Sequence, residues 1–139
     1  MSDAIATLYK SVRTALSGNS IWASRLYADE APATAQRPYV VYFVQGGGEL
    51  NAVKQNDAGY ILHVRVVSDN PVVAQNGRAE LSRLLNDSGL QDGGVITGDS
   101  DWAILTITQE TVVDIREAFA NAVPIYHKGH QFRVHMEEI

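Results

Sequence analysis

At 139 residues and 15.2 kDa the chain has the length of one domain, enough to bury a core without disulfide or metal staples. It is 45% hydrophobic and 19% charged, which is a folded composition, and it has no cysteine, which excludes disulfides, thiolate catalysis and cysteine-ligated zinc or iron–sulfur sites. The formal net charge is −5 and the eleven basic residues are scattered singly, so the Lys/Arg footprint of a nucleic-acid-gripping protein is missing.

No apolar run approaches the roughly 20 residues needed to cross a bilayer. The stretch MSDAIATLYKSVRTAL lacks the basic flank and apolar block of a signal peptide, so the expectation is a protein made and used in a cytosol. Residues 3–17 read as a first helix. Ile5, Leu8, Val12, Ala15 and Leu16 make an apolar stripe, Ser2 or Asp3 can cap it, and Gly18-Asn19 stops it. Residues 21–37 show no period around an Ala/Pro-rich centre and read as a traverse pinned by Trp22, Leu26 and Tyr27. Tyr39 to Val44 is β-branched or aromatic on both parities, the pattern of a strand covered on both faces, or on one face with another subunit on the other.

Roughly fourteen residues, Gln45 to Ala58, separate that strand from the next, where a hairpin needs only about 2–5. Glycine-rich at its root and polar beyond, this stretch is expected to be a mobile loop that meets a partner through Gly46, Gly47, Gly48, Glu49, Lys54 and Asp57. No Lys-Ser/Thr follows the glycines, so they are not a phosphate cradle. Tyr60, Leu62, Val64 and Val66 then alternate with Ile61, His63, Arg65 and Val67, a strand with one wholly apolar face. It hands over directly to a helix. Ser68-Asp69-Asn70 can cap, Pro71 suits the first helical position, Ala74, Gly77, Leu81, Leu84 and Leu85 form the stripe, and Gly89 marks the end.

Trp102 to Thr108 reads as a strand with Trp102, Ile104, Thr106 and Thr108 on one parity and Ala103, Leu105 and Ile107 on the other. Glu110 to Ala120 permits either a continued strand or a helical turn. Ile125 to Val134 reads as a hairpin about Lys128-Gly129, with His127 and His130 facing each other across it. Two imidazoles without a third local ligand fall short of a zinc site, so no metal or other cofactor is expected. His63 and His135 are placed on polar strand faces. The acids Asp87, Asp92, Asp99 and Asp101 lie among Gly and Ser, and Glu110, Asp114 and Glu117 have the spacing of a wet face, so neither group reads as a catalytic pair. No Gly-x-Ser-x-Gly elbow is present, and no catalytic residue is assigned.

A strand feeding an amphipathic helix predicts an α+β fold: a single two-layer domain over 1–139, with a mostly antiparallel sheet packed by two helices. In this order and spacing the chain resembles the tail terminator, or tail completion, proteins of long-tailed bacteriophages. The resemblance rests on the N-terminal helix, Arg25-Leu26-Tyr27 with Ala-Pro and then Arg37-Pro38-Tyr39-Val40-Val41, the Gly-containing segment, the strand Tyr60 to Val67, the helix with Leu81-x-x-Leu84-Leu85, and Tyr126 to Val134. It implies a non-enzymatic structural protein of the virion, assembled in the host cytoplasm. As a homo-oligomeric ring, a hexamer, it would cap the head-proximal end of the tail tube, end tail growth and offer the head-joining surface. The implied partners are the major tail tube protein and the head-tail connector, or neck, protein, with no membrane. DNA would pass through without specific binding, past a lumen for which Asp87, Asp92, Asp99 and Asp101 are the available acids. The competing expectation is a small-molecule-binding domain or small enzyme with a pocket between helices and sheet, using His127, His130 or the acids.

Overall fold

The computed structural model describes residues 3–50, 57–86, 96, 98–118 and 122–139. In chain order these form α1 (Ala4–Leu16), β1 (Leu26–Ala28), β2 (Tyr39–Leu50), β3 (Asp57–Ser68), α2 (Pro71–Leu85), β4 (Trp102–Glu117) and β5 (Ile125–Glu138). The strands make one sheet in the order β1-β2-β3-β5-β4. Every pairing is antiparallel except β1 with β2. This is the α+β arrangement that the strand-to-helix handover predicts.

Both helices start as their sequences dictate. Asp3 caps α1 by accepting from Ile5 N–H, and Asn70 caps α2 by accepting from Val72 and Val73 N–H, with Pro71 at the first position. Helix α1 buries Ala4, Leu8, Val12 and Leu16, and α2 buries Ala74, Gly77, Leu81 and Leu85. These stripes meet Val40, Tyr42, Tyr60, Leu62, Val64, Val66, Phe132, Val134 and Met136 from the sheet in one core. Gly77 is the point of closest approach: a Cβ there would stand 2.7 Å from a Val66 methyl. Leu84, expected in the stripe, is only partly buried at its margin, and α2 ends at Leu85 with Asn86 as its cap, short of Gly89.

The traverse 21–37 contains a strand. Leu26, Tyr27 and Ala28 run parallel to Val40, Val41 and Tyr42, and Arg25 Nε donates to the Pro38 carbonyl at 2.7 Å. The Arg-Leu-Tyr and Arg-Pro-Tyr-Val-Val segments are thus one paired unit. Trp22, fully buried, donates its indole N–H to the Leu16 carbonyl at 2.8 Å and fixes the exit from α1.

The largest departure from expectation is at Gln45 to Ala58. The glycine run is strand, not loop root: Gly46, Gly47 and Gly48 oppose Ile61, Tyr60 and Gly59, and Glu49 and Leu50 oppose Ala58 and Asp57. A bulge between Val44 and Gly46 precedes them. Gly47 has φ +110°, and a Cβ on it would stand 2.1 Å from the Gly59 carbonyl oxygen, so glycine is required here for close backbone approach. The strands so defined extend to Leu50 and from Asp57, and Lys54 lies outside the described residues.

The expected hairpin at Lys128-Gly129 is absent, because Ile125–Glu138 is one continuous strand. It lies between β3 and β4, and each neighbour pairs through 128–129, so the ladder on both sides outweighs a local turn signal. Gly129 answers to β3 instead: a Cβ would stand 1.9 Å from the Val64 carbonyl oxygen. Strand β4 continues through the ambiguous segment to Glu117. Its bulges between Ile104 and Thr106 and between Gln109 and Thr111 break the simple alternation, so Ile104 and Ile107 both reach the core.

Leu85→Ala should destabilise the protein by about 2–5 kcal/mol and Arg83→Ala by no more than about 0.5 kcal/mol in urea melts, because only the first opens a cavity. Equal losses would mean that α2 is rotated about its axis. Gly129→Ala should cost about 1–3 kcal/mol by forcing β3 and β5 apart, whereas Gly48→Ala, with nothing within 4 Å of its Cβ, should be near neutral. A neutral Gly129→Ala would refute the continuous strand.

Candidate functional site

The face of the sheet turned away from the helices carries the side chains with the most unusual surroundings. Cross-strand register puts Tyr39, Val41 and Phe43 of β2 beside Val67, Arg65 and His63 of β3, and these beside His127, Gly129 and Gln131 of β5. Val113 and Ile115 of β4 complete the face opposite Gly129 and His127. None of these residues belongs to the helix-packed core.

His63 is only 7% exposed and stacks on Phe43 with ring centroids 4.6 Å apart and planes at 15°. Both of its ring nitrogens are without hydrogen-bond partners among the described residues. Burial first, then the neighbouring Arg65 and His127, push its pKa down to about 4, so it stays neutral at ordinary pH. His127, also 7% exposed, is pushed down by burial and by Arg65, against an upward pull from Glu117. Its Nε2 lies 2.5 Å from Glu117 Oε1, and its Nδ1 has no partner among the described residues. Arg65 is half-buried between the two imidazoles, and its buried Nε likewise has no acceptor there. His63 lies on the polar face of β3, as alternation placed it, but it is buried there rather than exposed. The alternation that located its face could not show that Phe43, one strand away, would cover it.

His127 and His130 are not a facing pair. One residue parity apart on a continuous strand, they project to opposite faces, His127 beside Val67 and His130 beside Val64. His130 is buried on the helix side, where burial and the Arg78 charge lower its pKa against the raising effect of a hydrogen bond it donates to the Arg78 main chain. No group of three or more potential ligands that could hold a metal occurs among the described residues.

Register also gathers residues that the sequence separates. Asp57 stands opposite Glu137 on β5, which stands opposite Ala103 on β4, so Asp57 shares one end of the sheet with Glu137, Asp99 and Asp101. The expected partner residues Gly46, Gly47, Gly48 and Glu49 lie toward the same end. Asp99 is engaged within the fold: its carboxylate accepts from Thr7 Oγ at 2.7 Å and from the N–H groups of Asp101 and Trp102 at 2.8 and 3.0 Å, tying α1 to the start of β4. Asp87 and Asp92 lie outside the described residues. A concavity of about 440 Å³ is an open groove along α1 lined by Thr7, Lys10, Ser11, Thr14, Ile96 and Asp99, with none of His63, Arg65 and His127 in its lining.

The fold defines a small α+β class in which two helices cover one face of a five-stranded sheet. A chain from the virion of a native gene transfer agent particle shares it, with a TM-score of 0.75 at 15% sequence identity over 98% of this chain and 99% of that one. No known protein-family profile matches the sequence, and no curated protein matches it significantly.

His63 yields a pH prediction. Its folded pKa, about 4, lies below the ordinary 6.5, so the unfolded chain binds more protons between these values. The stability it contributes is whole above pH 6.5 and falls as pH drops toward 4, by about 3 kcal/mol in all. In urea melts at stepped pH, His63→Leu should flatten the loss between pH 6.5 and 4. An unchanged slope would show that His63 titrates normally.

Proposed function

We propose that this chain is a structural virion protein that caps the head-proximal end of a phage tail tube as an oligomeric ring, ending tail growth and presenting the surface to which the head joins. The observation that carries the reading is the end-to-end likeness to a chain of a phage-like virion particle, covering nearly all of both chains. That likeness is one of fold, and the function is our inference from it together with the resemblance in element order and motif spacing to tail terminators.

Two further features support it. The described residues assemble no catalytic constellation: Asp99 is engaged in capping a turn, and His127 and His130 are on opposite faces of the sheet. A sheet face that neither described helix covers, with Tyr39, Val41, Phe43 and Val113 around Arg65, suits a subunit that is completed by neighbours. In this reading the partners are further copies of the chain, six to a ring, with the tube protein below and the neck protein above. The protein is not an enzyme and needs no cofactor. DNA crosses the ring without being held, in keeping with a net charge of −5.

Removing the gene from the particle that encodes it should give tubes of irregular, excessive length and heads without tails in electron micrographs of lysates, restored by the gene in trans. Tails of normal, uniform length carrying joined heads would refute the reading.

A further inference from the structure

The helix-free face of the sheet is electrically lopsided along its length. Toward one end stands Arg65, half-buried in an apolar surround of Tyr39, Val41, Phe43 and Val113. No carboxylate among the described residues pairs with it, since the nearby acid Glu117 sits against His127 and Glu110 is paired with Arg133 at 2.5 Å. Each flanking neutral imidazole carries one N–H donor and one acceptor nitrogen, but neither accepts from the buried Arg65 Nε, and neither ring brings the negative charge that would offset the guanidinium. Toward the other end of the same face, Asp57 and Glu137 are direct cross-strand neighbours with no cation paired to either among the described residues. Like charges directly opposite each other repel, and they persist in strands where something outside the strand pair offsets them.

Within one copy these two charge sites cannot meet. Eight residues of extended β3 separate Asp57 from Arg65, a span of roughly 27 Å, far beyond side-chain reach. Each end holds what the other lacks, and an arginine fork suits a pair of carboxylates geometrically.

We infer that this face is a contact between copies of the chain, Arg65 of one copy receiving the Asp57 and Glu137 carboxylates of the next. The inference rests on the ring reading and deepens it by naming the surface. A contact that uses one end of the face to give and the other to receive can be repeated from copy to copy, as a head-to-tail ring requires. The neutral state of His63 and His127 leaves Arg65 as the cation of the patch, and the aromatic surround excludes water from the pair once it forms.

The test is a double-mutant cycle on the full-length protein, with self-association measured by sedimentation velocity. Arg65→Met, and Asp57→Asn with Glu137→Gln, should each raise the dissociation constant about tenfold or more while leaving a native thermal melt. Combined, they should do little more harm than either alone, since both remove the same contact. If Arg65→Met fails to fold, Arg65→Lys takes its place; it keeps the charge but loses the bidentate grip and should weaken assembly about threefold or more. Variants that assemble as tightly as the wild type, or losses that simply add, overturn the contact and leave the ring reading intact. A wild type that stops at a dimer, with the cycle coupled, keeps the contact and overturns the ring. A wild type that stays monomeric at every concentration, both free and with tail tubes, overturns both.

Discussion

The structure depends on one sheet of apolar side chains laid against two helices. Strand β3 supplies Tyr60, Leu62, Val64 and Val66, β5 supplies Phe132, Val134 and Met136, and α2 can lie on them only because Gly77 lets its backbone descend onto Val66. Buried apolar surface of this kind stabilises by roughly 25 cal/mol for each Å² removed from water, which makes it the dominant favourable term. The caps at Asp3 and Asn70, the indole bond of Trp22 and the Asp99 turn orient the pieces around that contact without replacing it.

Glycine appears in this chain as a spacing device more often than as a hinge. At Gly129 and Gly47 the neighbouring strand's carbonyl occupies the space where a Cβ would go, and at Gly98, with φ +93°, the Trp102 carbonyl does the same. These positions let β2, β3, β5 and the start of β4 pair through places where the chain bulges or reverses. A Gly-rich stretch met in a sequence has two physical uses, freedom and closeness. Local composition does not separate them.

That ambiguity explains which parts of the molecule the sequence made legible. The helices, their capped starts, the central strand and the α+β class follow from periodicity and capping chemistry, which act over a few residues. Three features escaped because they are set by partners distant in sequence. Gly46 to Gly48 pair with Gly59 to Ile61, Lys128-Gly129 is held straight from both sides, and β4 keeps a core face only through its two bulges. The candidate face was half legible. Alternation placed His63 and Arg65 together, but the stack of His63 on Phe43 and the meeting of Asp57 with Glu137 needed the register. The engagement of Asp99 in a turn was foreseeable in part, since an Asp two and three residues before N–H groups that its carboxylate can accept from is a common turn cap.

Strand β4 lies at one edge of the sheet, and that edge has a bearing on how the folded chain meets other extended chains. It is sixteen residues long, with Val112 at 52% and Ile115 at 45% exposure, while the Trp102 carbonyl accepts from Asp99 N–H and Gln109 N–H donates to Asn86 Oδ1. Along the same stretch Glu110, Asp114, Arg116 and Glu117 interrupt the apolar residues, and the bulges at Leu105 and Glu110 bend the ladder. Alternating charge and a broken register make a poor template for unplanned strand addition. An edge of this kind favours the dispersed folded chain over unplanned strand-to-strand association.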